Sequence, residues 1–181
     1  VQANGSLGAT AVWQTAATWG TKTVTGLTTS TMYSFSAKAR NGANVETTFG
    51  TSASGTTLAA QTVDYAVVQF PNTTQNINVG TDLDVYTRAY ESGLTTLSGE
   101  QANLFAWVGY SSTNDDPSNP GWTWVASTFN AEFGNDDEYK ATLTGLPVGT
   151  YYYAARFQIG TGSYVYGGSA GVWSSDNVTL N

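Results

Sequence analysis

The sequence has no cysteine and no histidine among its 181 residues, a single methionine, four prolines and only six basic side chains. Each shortage removes a class of chemistry. Without His or Cys there is no Ser-His-Asp triad, no thiol nucleophile, no haem or iron–sulfur ligation and no ordinary zinc site. Without Cys there is no disulfide, and hence no cysteine signal of compartment. Thirteen acidic groups against six basic ones leave a net charge of -7. That balance argues against nucleic acid, whose phosphates require Lys and Arg patches. No apolar run approaches the roughly 20 residues that a membrane span needs. Charged residues make up 10% of the chain, against a usual ~25%.

What fills the chain is aromatic and small-polar. Aromatic residues reach 13%, too many for a disordered chain. A surface of Thr, Ser and Asn with few Lys or Glu points to an extracellular or cell-surface protein. Val1 opens the sequence without a basic and apolar leader, so the reading is a mature product or an excised piece.

Charge and aromatics divide the chain at about residue 60. Residues 1–60 carry Lys22, Lys38 and Arg40 against Glu46, whereas residues 61–181 carry three basic groups against twelve acidic ones. Five aromatics lie in the first part and nineteen in the second. A small polar stretch from Thr56 to Thr62 reads as a linker. The expected domains are therefore 1–60 and 61–181.

The hydrophobic period is two throughout, which is strand-like. Tyr33, Phe35, Ala37 and Ala39 alternate with polar residues, Asn41-Gly42 predicts a turn with positive φ, and Val45–Phe49 restarts a strand. In the second part Leu83, Val85 and Tyr86 mark one strand, Leu104–Tyr110 is apolar enough to be a central one, Tyr139–Leu143 alternates, Tyr151, Tyr153, Ala155, Phe157 and Ile159 form one long apolar face, and Gly160-Thr161-Gly162 predicts a turn into Ser163–Tyr166. The fold class expected is all-β, two tandem immunoglobulin-like β-sandwiches. An internal similarity links the parts: Thr25-Gly26-Leu27 with Thr31 and Tyr33, and Thr144-Gly145-Leu146 with Thr150 and Tyr152. It predicts a corner between sheets in which the Leu plugs the core and the Tyr hydroxyl bonds back to loop backbone. The apolar face of Tyr153, Ala155 and Phe157 is out of step with Tyr152.

Thr23–Leu27, then Thr31–Gly42 and the closing Ser54-Gly55-Thr56-Thr57, resemble the C-terminal half of a fibronectin type III domain, over about residues 20–58. The family's first two strands, with their core Trp and early Pro, have no counterpart. Three explanations stand side by side: a fragment of a longer protein, strands supplied by another copy through strand addition, or a different fold of residues 1–22 with Trp13 and Trp19. Residues 62–181 resemble a β-sandwich accessory module appended to secreted bacterial hydrolases and nucleases. The resemblance rests on Phe105–Asn114, Trp122-Thr123-Trp124, Gly134–Tyr139 and Gly149–Phe157, and in layout the stretch is similar to starch-binding sandwiches. It implies a non-catalytic role.

Candidate sites follow from residue chemistry. Among Trp107, Tyr110, Trp122, Trp124, Tyr164, Tyr166 and Trp173, ring faces can stack on the C–H face of a pyranose while Asn, Asp and Arg bond its hydroxyls. Trp122 and Trp124 share one side of a strand, as do Tyr164 and Tyr166. Trp122 and Trp124 are expected to be the exposed pair, because the loop Asp115–Gly121 precedes them. The candidate carbohydrate ligands are thus Trp122, Trp124, Tyr110, Tyr164 and Tyr166. Asp115, Asp116, Asp136 and Asp137 are the candidate ligands of a Ca²⁺ ion, which takes carboxylate and carbonyl oxygens; turn formation by Asx residues is the competing role. Asn4, Asn72 and Asn177 each open a glycosylation triplet. Paired carboxylates alone do not make a glycosidase. The expectation is an extracellular, non-catalytic structural or adhesive unit that assembles with copies of itself through an open sheet edge, or a carbohydrate-binding accessory module of a secreted enzyme with polysaccharide as partner.

Overall fold

The structure is a computed structural model that describes Val1–Asn181. The chain forms two compact units, Val1–Ala60 and Gln61–Asn181. Apart from one four-residue helical turn, every element is a strand, and the class is all-β.

In the first unit the helical turn α1 (Ala16–Trp19) is capped by Thr15, whose Oγ1 accepts from Thr18 N at 3.2 Å. Strands β1 (Met32–Phe35) and β2 (Ala53–Thr56) pair antiparallel, Met32 opposite Thr56. Of the predicted corner the tyrosine bond is present, Thr28 N donating to the Tyr33 hydroxyl at 2.9 Å, but there is no second sheet to cross to and no core for Leu27 to plug. The strand expected over Val45–Phe49 is reduced to a bridge between Arg40 and Glu46 and bonds such as Thr47 N to Ala39 O. The turn at Asn41-Gly42 closes differently from the expectation. Asn44, not Gly42, takes positive φ (62°), and the Asn41 side chain accepts from the backbone N–H groups of Ala43 and Val45. The unit has no second sheet, so Met32, Phe49 and Leu58 remain 72%, 64% and 87% exposed.

The second unit is a sandwich of two antiparallel sheets. One sheet runs β3 (Tyr65–Phe70), β4 (Leu83–Tyr90), β8 (Asp136–Leu143), β7 (Thr128–Phe133). The other runs β10 (Val165–Gly167), β9 (Tyr151–Ile159), β5 (Leu104–Ser111), β6 (Thr123–Ala126), with β11 (Val178–Leu180) also on β9. The short strands β10 and β11 line one edge of β9 end to end, facing Ala155–Phe157 and Tyr151–Tyr153 respectively. A two-residue loop, Gly134-Asn135, joins β7 to β8 with φ of 69° at the glycine, in the left-handed region that favours glycine.

Alternation builds the core. Val85, Ala89, Ala106, Val108, Tyr139, Leu143, Tyr153, Ala155 and Phe157 face inward and are buried. Each large member contributes about 1.5–3 kcal/mol by leaving water. The corner predicted for Tyr152 is corrected here. It is Tyr153 that is wholly buried and donates its hydroxyl to Pro71 O at 2.8 Å. The alternation that makes Tyr153 a core residue turns Tyr152 the other way.

Candidate functional site

The outer face of the β10-β9-β5-β6 sheet carries the aromatic side chains that its inner face does not use. With Leu104, Ala106 and Val108 turned inward on β5, Phe105, Trp107 and Gly109 turn outward. The same period turns Ala154, Arg156 and Gln158 of β9 and Trp124 of β6 outward, Ala154 being buried there and the other three half-buried. Register then brings these residues together. Trp107 lies opposite Arg156, Arg156 opposite Tyr166 of β10, and Gly109 opposite both Trp124 and Ala154.

The result is a continuous band of rings. Centroid separations are 6.3 Å for Phe105–Trp107, 5.8 Å for Trp107–Tyr164, 6.3 Å for Tyr164–Tyr166 and 5.9 Å for Tyr166–Trp124. Gly109 makes room for it: a Cβ there would stand 2.6 Å from the six-membered ring of Trp124, so the indole rests on the bare backbone. The Arg156 guanidinium sits amid the band, its Cζ 4.1 Å from the Trp124 ring, 4.2 Å from Tyr164 and 4.6 Å from Trp107. All three lie within cation–π range. The other two cations of this unit have carboxylate partners, Arg88 with Asp136 at 3.4 Å and Lys140 with Asp84 at 2.7 Å. Arg156 has none, and its Nε is buried without a hydrogen bond. Burial pushes its guanidinium below the usual range, countered by Tyr164 and Tyr166.

The expected carbohydrate ligands divide. Trp124, Tyr164 and Tyr166 belong to the band. Trp122 stacks on Trp124 at 5.9 Å but is only 9% exposed, and its Nε1 donates to Asp115 Oδ1 at 3.0 Å. It buttresses the band from the loop side instead of presenting an open plate. Tyr110 faces the opposite way, packed edge-on against Tyr151 at 6.0 Å and onto the core, because it shares the parity of Ala106 and Val108. Trp173 is tied into its loop by a bond from Nε1 to Asn177 Oδ1. Phe105 and Arg156 were missed by sequence reading. The available signal was the parity of Arg156 on β9, opposite to that of Ala155 and Phe157.

The four candidate calcium ligands are not gathered into one site. Asp115 holds Trp122, and Asp116 accepts from Ser118 N at 2.8 Å in an Asx turn. Asp136 pairs with Arg88, and Asp137 is wholly buried on the other sheet. No group of three or more acidic side chains stands in metal-holding geometry. Turn formation, an indole N–H and an ion pair engage Asp116, Asp115 and Asp136, whereas the Asp137 oxygens are buried without a partner. The Asp137 carboxyl is pushed up to about 6 by burial, with Glu132 and Asp136 adding to the effect.

No helix is long and apolar enough to cross a membrane. No protein-family model matches the chain. Part of it is similar to amylopullulanases. The match to that of Thermoanaerobacterium thermosulfurigenes is 32% identical over 89 residues, covering 41% of this chain and 5% of the enzyme. That to the enzyme of Thermoanaerobacter thermohydrosulfuricus is 29% identical over 105 residues, covering 49% of this chain and 7% of the enzyme. That to the enzyme of Thermoanaerobacterium saccharolyticum is 29% identical over 98 residues. The chain thus matches only 5–7% of the length of these relatives, a small segment within much larger enzymes.

Proposed function

We propose that the second unit is a non-catalytic accessory module of a larger extracellular protein, and that it holds polysaccharide on the outer face of its β10-β9-β5-β6 sheet. The observation that carries this reading is the band Phe105–Trp107–Tyr164–Tyr166–Trp124 with Arg156 unneutralised in its midst. Most soluble surfaces scatter their apolar side chains; a contiguous aromatic patch marks a place where something binds. Ring faces suit the C–H faces of pyranoses, and the guanidinium donates to hydroxyls. The face offers rings and a cation instead of the facing carboxylates that glycoside hydrolysis uses. Similarity to segments of amylopullulanases, enzymes named for amylo-glucans and pullulan, supports an α-glucan as the ligand.

Affinity electrophoresis through gels containing amylose, pullulan or cellulose tests this. Retardation by the α-glucans is expected. Trp124→Ala should remove it, since losing a central aromatic anchor costs about 2 kcal/mol or more, roughly 30-fold in Kd. Unretarded migration in every gel would sink the reading.

A second reading concerns the first unit. Its two-stranded sheet leaves both edges open and Met32, Phe49 and Leu58 exposed. Strand addition between copies would cover such edges. Sedimentation velocity at micromolar concentration should then show association that disappears when residues 1–60 are deleted; a monomer at all concentrations removes it.

A further inference from the structure

We propose that the aromatic band favours glycans that carry an acidic substituent, a carboxylate or a phosphate, and that Arg156 is the residue that pairs with it. The inference rests on the carbohydrate reading above and adds what the sugar carries.

The two sheets of the second unit divide the charged residues unequally. The sheet that bears the band holds one charged residue along all its strands, Arg156, and no carboxylate. The opposite sheet holds Asp84, Glu132 and the run Asp136–Glu138 against Arg88 and Lys140. In a chain of net charge -7, the band therefore surrounds a cation that no strand neighbour offsets. The adjoining loop does not offset it either. Asp115 accepts from the Trp122 indole and Asp116 from Ser118 N, and Asp116 reaches Tyr166 with its charge. The side chains that act on the guanidinium itself are the phenols of Tyr164 and Tyr166, and no carboxylate is among them.

A cation that has lost part of its hydration is costly unless paired. Arg156 Nε is buried without a hydrogen-bond partner, whereas its two Nη groups, which no ion pair engages, are not closed off. The rings of Trp124, Tyr164 and Trp107 stand 4.1, 4.2 and 4.6 Å from Cζ and hold the fork in place. A side chain ordered before the ligand arrives spares the entropy of ordering it on binding. The planar guanidinium offers parallel N–H groups that match a carboxylate or a phosphate. Such charge-assisted bonds are roughly twice as strong as bonds to a neutral hydroxyl. The flanking rings displace water, and a lower local dielectric strengthens the pair further. The net charge of the chain works against general attraction of anions, so a preference for an acidic sugar has to come from this one site.

Calorimetric titration of the full chain with maltoheptaose, with its carboxylate-bearing (6-uronate) form and with its 6-phosphate form tests the proposal. At least one acidic form should bind about tenfold more tightly than the neutral sugar, and the tighter of the two identifies the substituent. The preference should shrink as NaCl rises from about 0.05 to about 0.5 M. Arg156→Gln should abolish it, and Arg156→Lys, which keeps the charge and loses the fork, should retain part of it. Equal or weaker binding of both acidic forms would overturn the inference and leave the carbohydrate reading standing. A preference that survives Arg156→Gln, or that ignores salt in the unaltered chain, would overturn it as well. Binding of an acidic form alone would uphold the inference and remove the neutral glucan as ligand. Binding of none of the three sugars would remove both.

Discussion

Asp137 faces the inner side of β8 with no exposed surface and with neither carboxylate oxygen hydrogen-bonded. Its pKa of about 6 in the native state lies above the roughly 3.9 of an unfolded aspartate. The native state therefore keeps a proton that the unfolded chain has released. The stability this provides is complete below about pH 4 and is lost as pH rises through about 6. Asp137→Asn should flatten that part of the pH–stability curve and raise stability at pH 8 by about 2 kcal/mol, read from urea midpoints. Gly109 acts at the same scale. A methyl group there meets the Trp124 ring at 2.6 Å, while strand propensity gains from losing a glycine. Gly109→Ala should stay folded, shift tryptophan emission to the red and weaken glucan binding about tenfold, without Gly109 itself presenting a side chain to the ligand.

β9 is the central element of the second unit. It pairs with β5 along eight residues and with β10 and β11 on its other edge. Its inner side supplies Tyr153, Ala155, Phe157 and Ile159 to the core, and its outer side supplies Arg156 to the band. The two functions separate by parity, so mutations separate them as well. Phe157→Ala should cost about 3–5 kcal/mol through the cavity it leaves, measured by chemical denaturation. Arg156→Gln should leave stability within about 1 kcal/mol, since a half-exposed cation–π contact is worth little more, and should lower glucan affinity instead. Tyr151–Ile159 was legible as a strand because Tyr151, Tyr153, Ala155, Phe157 and Ile159 line up as one apolar face at period two. The strand expected at Val45–Phe49 was not realised, because alternation names a candidate strand but cannot provide the partner that pairs with it.

At the scale of the whole chain the two units differ in kind. The second encloses a core between two sheets, whereas the first has a two-stranded sheet, its apolar residues open to solvent. An isolated two-stranded sheet is marginal in water. Residues 61–181 expressed alone should therefore unfold cooperatively, with dispersed amide resonances. Residues 1–60 alone should show no cooperative transition by circular dichroism. A sharp transition in the short piece would mean that its surface is covered by self-association.

The all-β class, strands such as β4, β5, β8 and β9 of the second unit and the absence of His- or Cys-based chemistry were readable from residue order and composition, because each is local: a period, a residue type, a turn signal; β3, β7 and β11 carried no such signal. Which aromatics share a face was not. Trp122 and Trp124 are alike in the sequence, yet one is buried against Asp115 and the other lies on Gly109. Tyr110 carries the same ring as Tyr166 and packs onto the core. Parity assigns a residue to one side of its own strand. Only the register between strands, set by how the two sheets close on their shared core, places Trp107, Trp124, Tyr166 and Arg156 side by side.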